Sequence, residues 1–325
     1  MLNQQQIKDK KTAIYKQLSQ FNNQPKATAA LNLLNVLGYK SSRVFEQTDD
    51  TADFLDDMNL TKKLDPEAAL YQDWTNASAL CQFAKIDLTQ LNQQSFAFEP
   101  EAPTNLGLYS SFMFVIVELN QPKYTRTQLA SIVRELNKHS PMPINVFFYY
   151  NNLVSIAFIH RRQNKNNTAK QVLGKVSIIK DIDTKKPKRS HTEILYDLCT
   201  LSLFENKNTV NFQEIADAWY KILDTQSLNN RFYKDLRNWY AYANQTINIY
   251  QTEQKSLIPI PEREKQQFIL RLITRLIFCW FLKEKQFIAD HFFDPDNLKK
   301  YLLDFNPNNP QQSQYYKAIL QNLFF

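Results

Sequence analysis

The sequence predicts an α+β fold: a mixed α/β core at about 95–204, a mostly helical segment before it at 1–94, and an all-helical connector at 205–325. Three observations carry this. FMFVIVEL (112–119) is a continuous apolar, β-branched run, as in a strand covered on both faces. TRTQLASIVRELNKHS (125–140) follows it and sets Leu129, Ile132, Val133 and Leu136 on one helical face. Beyond 205, NFQEIADAWYKILDT and NNRFYKDLRNWYAYANQTINIY carry aromatics at intervals of three and four residues.

The elements follow in order. Residues 2–21 read as a charged helix, and KATAALNLLNVLGYKSS (26–42) as a second, with Gly38 as its C-terminal cap. Residues 47–66 are acidic and read as a surface segment; 67–93 read as mostly helical, anchored by Trp74, Leu80 and Phe83. PINVFFYY (143–150) and LVSIAFIHR (153–161) are two strands joined by an Asn-Asn turn. QVLGKVSIIKDI (171–182) adds a strand, and TEILYDLCTLSLF (192–204) a helix. FILRLITRLIFCWFLKEK (268–285) is apolar nearly all round; Arg271 and Arg275 interrupt it, so it reads as a buried helix and not as a membrane span.

Composition narrows the function. The 325 residues are 43% apolar, enough for a sizeable core. Only 3 glycines are present, with no GxGxxG and no GxxxxGK[ST], which excludes a glycine-built phosphate cradle. The 3 cysteines and 4 histidines are scattered, as expected of reduced thiols in a cytoplasmic protein without a zinc site. The N-terminus lacks the apolar run of a signal peptide. A net charge of +7 suits a polyanionic partner. Two basic clusters, HRRQNKNNTAK (160–170) and KKPKRSH (185–191), offer Arg161, Arg162, Lys186, Lys188 and Arg189 to double-stranded DNA, although each also reads as a solvated loop.

FVIVELN (114–120) ends a buried strand in Glu118 and leads into a helix, like the second half of the nuclease pattern PD-(D/E)xK. In that pattern carboxylates hold Mg²⁺ and a lysine orients or deprotonates water. Asn120 stands where the lysine belongs, and no Pro-Asp precedes the strand at a suitable distance. Glu99 is the nearest carboxylate to share the metal with Glu118, and Gln128 is placed to position water. The core therefore reads as nuclease-like, with its activity in question. NPPY- and DPPF-type motifs are absent, so this chain has no amino-methyltransferase site of its own. Arg271 and Arg275 share a helical face and are expected to pair with acids such as Glu262 or Glu264 or to cap a domain contact, with a DNA phosphate as the alternative; Phe232, Tyr233, Trp239, Tyr240 and Tyr242 are expected in a core, with base stacking as the alternative.

Several blocks together resemble a known family. YTRTQLASIVRELNKHSPMPINVFF, LVSIAFIHRRQNK, VSIIKDI, HTEILYDL, LDTQSLNNRFYKDLRNWY, RLITRLIFCWFLKEK and YYKAILQNLFF are similar to the amino-terminal region of type IIG-like restriction–modification enzymes, over about 105–325. Those proteins join an adenine-specific DNA methyltransferase to an endonuclease, and the methyltransferases of phage-exclusion systems are related. The resemblance implies DNA handling in defence against phage. It also implies a methyltransferase domain or subunit meeting the C-terminal helices, with S-adenosylmethionine bound there and not in this chain. The alternative is a non-catalytic scaffold that docks a separate methyltransferase or defence subunit.

Overall fold

The computed structural model describes residues 4–47, 50–95, 110–164, 167–204, 210–253, 256–285, 287–303, 305–306, 309 and 314–324. The chain runs α1 (Gln4–Ser19), α2 (Lys26–Leu37), α3 (Thr51–Asp57), β1 (Trp74–Phe83), α4 (Lys85–Ser95), β2 (Phe112–Leu119), α5 (Arg126–Lys138), β3 (Ile144–Tyr150), β4 (Leu153–Asn164) and β5 (Asn167–Asp183). It continues through α6 (Arg189–Asp197), α7 (Thr200–Leu203), α8 (Phe212–Leu223), α9 (Thr225–Thr246), β6 (Tyr250–Glu253), β7 (Ser256–Pro259), α10 (Glu262–Glu284) and α11 (Pro295–Tyr301). Its contacts divide it into two units, Met1–Asn229 and Asn230–Phe325. It is a mixed α+β protein: a five-stranded mixed sheet with flanking helices, then a mostly helical C-terminal part.

In the first unit the sheet order is β1-β2-β3-β4-β5. β1 runs antiparallel to β2, and β2 runs parallel to β3 with α5 as the crossover between them. β3, β4 and β5 then form an antiparallel meander. The β3–β4 turn is Asn151-Asn152, both at positive φ (46° and 60°), a geometry that asparagine tolerates better than most residues and that matches strand twist.

Period-two alternation along β2 sorts its side chains into two layers. Phe112, Phe114 and Ile116 join one core with Leu33 and Leu37 of α2, Leu195 of α6 and Trp219 of α8. Met113, Val115, Val117 and Leu119 join the other with Phe54 of α3 and Leu129, Ile132 and Val133 of α5. The apolar run in β2 thus reflects cover on both faces, and each fully buried phenylalanine there contributes about 1.5–3 kcal/mol. Trp219 pins the first layer: its indole N–H donates to Tyr39 Oη at 2.7 Å, and Tyr39 Oη donates to the Leu198 carbonyl at 2.7 Å.

Five expectations change. Residues 74–83 are strand β1, not helix. Register shifts between Trp74/Asn76 and Ala79/Cys81 break the alternation by which a strand is read from sequence. The acidic stretch 47–66 contains α3, whose Phe54 and Leu55 are buried; the Asp50 side chain caps it by accepting from the Ala52 N–H. The C-terminal part includes a hairpin, β6–β7. Finally, α10 is not a buried helix. Ile269, Ile273 and Cys279 are buried, while Leu270, Ile277, Phe278, Trp280 and Phe281 are exposed. Phe232, Tyr233, Trp239 and Tyr242 of α9 are likewise exposed instead of core. Among the described residues, the second unit's buried cluster is small, Ala243, Ile269 and Ile273 with Leu236, Tyr240, Ile247 and Phe268 against it, and it leaves much of the apolar surface of α9 and α10 uncovered. Among the described residues no helix is long and apolar enough to cross a membrane.

Candidate functional site

Alternation places Glu118 on the face that carries Phe112, Phe114 and Ile116, beneath α2. Its strand neighbours are Asn76 on β1 and Tyr149 on β3. Asn76 Nδ2 donates to Glu118 Oε1 at 3.4 Å. Lys26, the first residue of α2, lies over the Tyr149 ring, 4.7 Å from its centre, and donates to the Phe21 carbonyl at 2.5 Å. Lys26, Asn76, Ser78 and Glu118 line one pocket of about 200 Å³. Burial pushes the Glu118 carboxyl above its usual range, and the Lys26 charge and the Asn76 hydrogen bond pull it part of the way back.

Among the described residues, this pocket offers Mg²⁺ one carboxylate, Glu118. Asn76 Oδ1 is a buried acceptor with no hydrogen-bond partner among the described residues, and Gln47 and Ser78 line the same pocket, so the other side-chain oxygens beside Glu118 are neutral. A hard dication favours anionic oxygens, however, and the charge nearest the single carboxylate is an ammonium. Among the described residues no group of three or more His, Cys, Asp or Glu could hold a metal ion. Glu99 lies outside the described residues.

Gln128 is occupied elsewhere. It is the third residue of α5, where its Oε1 accepts from the Thr125 N–H at 2.8 Å and its own N–H donates to Thr125 Oγ1 at 3.2 Å. This capping box fixes the start of a helix whose apolar side packs on the face opposite Glu118. Asn120 donates its backbone N–H to the Asp73 carbonyl at 3.0 Å, tying the end of β2 to the start of β1.

The expected DNA contacts separate into two groups. Arg161 is 4% exposed and does not offer its charge to a phosphate. One guanidinium nitrogen donates to the carbonyls of Ser140 (3.0 Å) and Met142 (2.8 Å) and to Asn137 Oδ1 (3.2 Å), closing the C-terminal end of α5. Carbonyls at a helix end attract a cation, which explains a buried arginine here. Arg162 pairs through its backbone with Val172, and its side chain lies outside the described residues. Lys186, Lys188 and Arg189 are exposed on the turn from β5 into α6. In the second unit Arg275 lies over the Phe324 ring at 5.4 Å, and Glu262 pairs with Lys265 at 3.7 Å.

Two residues of the pocket were not legible as site residues: Lys26 and Asn76. Lys26 reaches Glu118 only through packing of α2 on the sheet, so no local spacing signals it. Asn76 becomes visible once residues 74–83 are a strand, because a polar residue then sits directly opposite Glu118. Burial pushes the Cys81 and Cys199 thiols up to about 12, away from the thiolate form.

The architecture and pocket define a class: a mixed α+β protein with a carboxylate–ammonium pocket at the end of a buried strand. Comparison with family models, curated proteins and solved structures gave no match.

Proposed function

We propose that the chain is the non-cleaving, nuclease-like front module of a type IIG-like restriction–modification system, which binds DNA and docks an adenine-specific methyltransferase through α10. The observation that carries the docking is the outward stripe of α10. Leu270, Ile277, Phe278 and Phe281 are spaced i, i+7, i+8 and i+11, so they share one helical face, and each is 44% exposed or more. An apolar stripe of this kind ordinarily faces a core, and left in water it marks an interaction surface. The non-cleaving part rests on the pocket, where Asn76 stands opposite Glu118 and the charge of Lys26 acts on the same carboxylate.

The test is co-purification and sedimentation of the full chain with the adenine methyltransferase region of a type IIG-like enzyme. A stable complex is expected. Phe278→Asp together with Phe281→Asp is expected to weaken it at least about 30-fold, since a central interface aromatic contributes about 2 kcal/mol or more. A chain that stays monomeric and ignores the methyltransferase would sink the docking. Incubation with duplex DNA and Mg²⁺ or Mn²⁺ is expected to leave the DNA intact; nicking that disappears in Glu118→Ala would overturn the non-cleaving part.

A further inference from the structure

We infer that the groove between α1 and the β5–α6 turn is the track along which this protein holds the phosphate backbone of nucleic acid. The inference deepens the DNA-binding part of the proposed function and rests on it. Two basic runs far apart in the sequence meet here: KDKK (8–11) on α1 and KKPKR (185–189) on the turn. α1 packs against α6, and together they form an open groove of about 520 Å³ lined by Lys8, Lys11, Tyr15, Pro187, Arg189 and Glu193 among others. Lys8, Lys11 and Tyr15 lie on one face of α1, one helical turn apart, which is about 5.4 Å.

The turn presents Lys186, Lys188 and Arg189 beside this face, and the Arg189 side chain is 92% exposed. Its backbone is held in place, since the Lys185 and Lys186 N–H groups donate to Asp183 Oδ1 at 2.8 and 3.0 Å. Glu193 is the carboxylate of the groove. Burial pushes it up, but Lys11 at 2.5 Å and Arg189 at 3.4 Å hold it below its usual range. It therefore stays ionised and orders two cations, while Lys8 lines the same groove and Lys186 and Lys188 are exposed on the turn that supplies Pro187 and Arg189 to it. Open grooves with exposed cations and an accessible tyrosine suit a polymeric polyanion read by its backbone, not a small anion that needs a closed cradle. Tyr15, at 43% exposed, supplies the apolar face for a sugar or base. The buried Arg161 takes no part.

The experiment measures binding of the full chain to a fluorescent duplex across a salt series. The patch variant replaces Lys8, Lys186, Lys188 and Arg189 with Glu. The control variant replaces Lys62, Lys63, Lys299 and Lys300, also exposed, with Glu, for the same change in net charge. Wild-type binding is expected to fall with salt. The patch variant is expected to bind at least tenfold more weakly, and the log–log salt slope to shrink by about 3 to 4, near 0.9 per lost phosphate contact. The control is expected to stay within about threefold of wild type. Equal losses in both variants, or no loss in the patch variant, would overturn the track while leaving DNA binding standing. A wild-type chain with no salt-sensitive binding would overturn the DNA-binding reading and the track with it. If circular dichroism shows the Glu variant unfolded, the same four positions changed to Gln give the same test with a smaller loss.

Discussion

At the scale of single residues, position in the fold decides what a charge is for. Arg161 and Arg189 are both members of basic clusters in the sequence. One is buried against the carbonyl end of α5, and the other is almost wholly in water. Glu118 shows the same dependence. Burial raises its carboxyl, and Lys26 only partly offsets this, so the folded chain favours the protonated acid more than the unfolded chain does. Stability therefore falls as pH rises from the ordinary glutamate value of about 4.3 through the raised folded value. Glu118→Gln is expected to melt above wild type at about pH 7.5, with the advantage gone near pH 3.5, where both side chains are neutral. Thermal melts across that range check it. A variant that melts below wild type at neutral pH would mean that attraction to Lys26 outweighs desolvation.

At the scale of elements, ends were more legible than interiors. Gly38 was readable as the cap of α2, and it sits at φ 97° with its N–H bonded to the Asn35 and Leu34 carbonyls. A Cβ there would also lie 2.0 Å from Thr200 Oγ1. Gly38→Ala is expected to cost more than about 1 kcal/mol, from the left-handed backbone and from the clash. Adding Thr200→Ala should recover only the clash. Denaturant midpoints of the three proteins measure this, and full recovery in the double variant would show that the backbone term is negligible. The strand β2, the crossover α5 and the Asn-Asn hairpin were equally legible, because their periodicity is unbroken. β1 was not, because two register shifts in ten residues scramble its alternation. Gln128 was read from the sequence as a residue to position water, whereas the fold places it in the capping box with Thr125 at the start of α5.

At the scale of the molecule, the two units differ in what holds them. The first has a sheet with a buried cluster on each face. The second has the small cluster around Ala243, Ile269 and Ile273, with much of the apolar surface of α9 and α10 in water. Unfolding is therefore not expected to be two-state. Calorimetry should resolve a lower transition from the second unit and a higher one from the first. A methyltransferase bound at α10 should raise only the lower one, by the equivalent of about 2.7 kcal/mol at a hundredfold excess over Kd. A single cooperative transition, unmoved by the methyltransferase, would contradict both the division and the docking surface.

The sequence by itself determined the α+β class, the succession of a strand, a helix and two strands over 112–161, the glycine cap of α2 and the presence of one carboxylate at the end of a buried strand. These follow from local periodicity and from the stereochemistry of glycine and asparagine, which act within a few residues. Tertiary structure alone decided which residues share a site. Alternation put Glu118 under α2 and α5 on the opposite face, packing brought Lys26 and Asn76 to it, and α1 was set beside the β5–α6 turn to join two basic runs. It also decided that α10 turns an apolar face to water, because a helix that is apolar nearly all round can be covered by its own unit only if that unit has enough partners for it. Charge and hydrophobicity can be read from a chain; whether they are buried, paired or presented depends on neighbours far away in it.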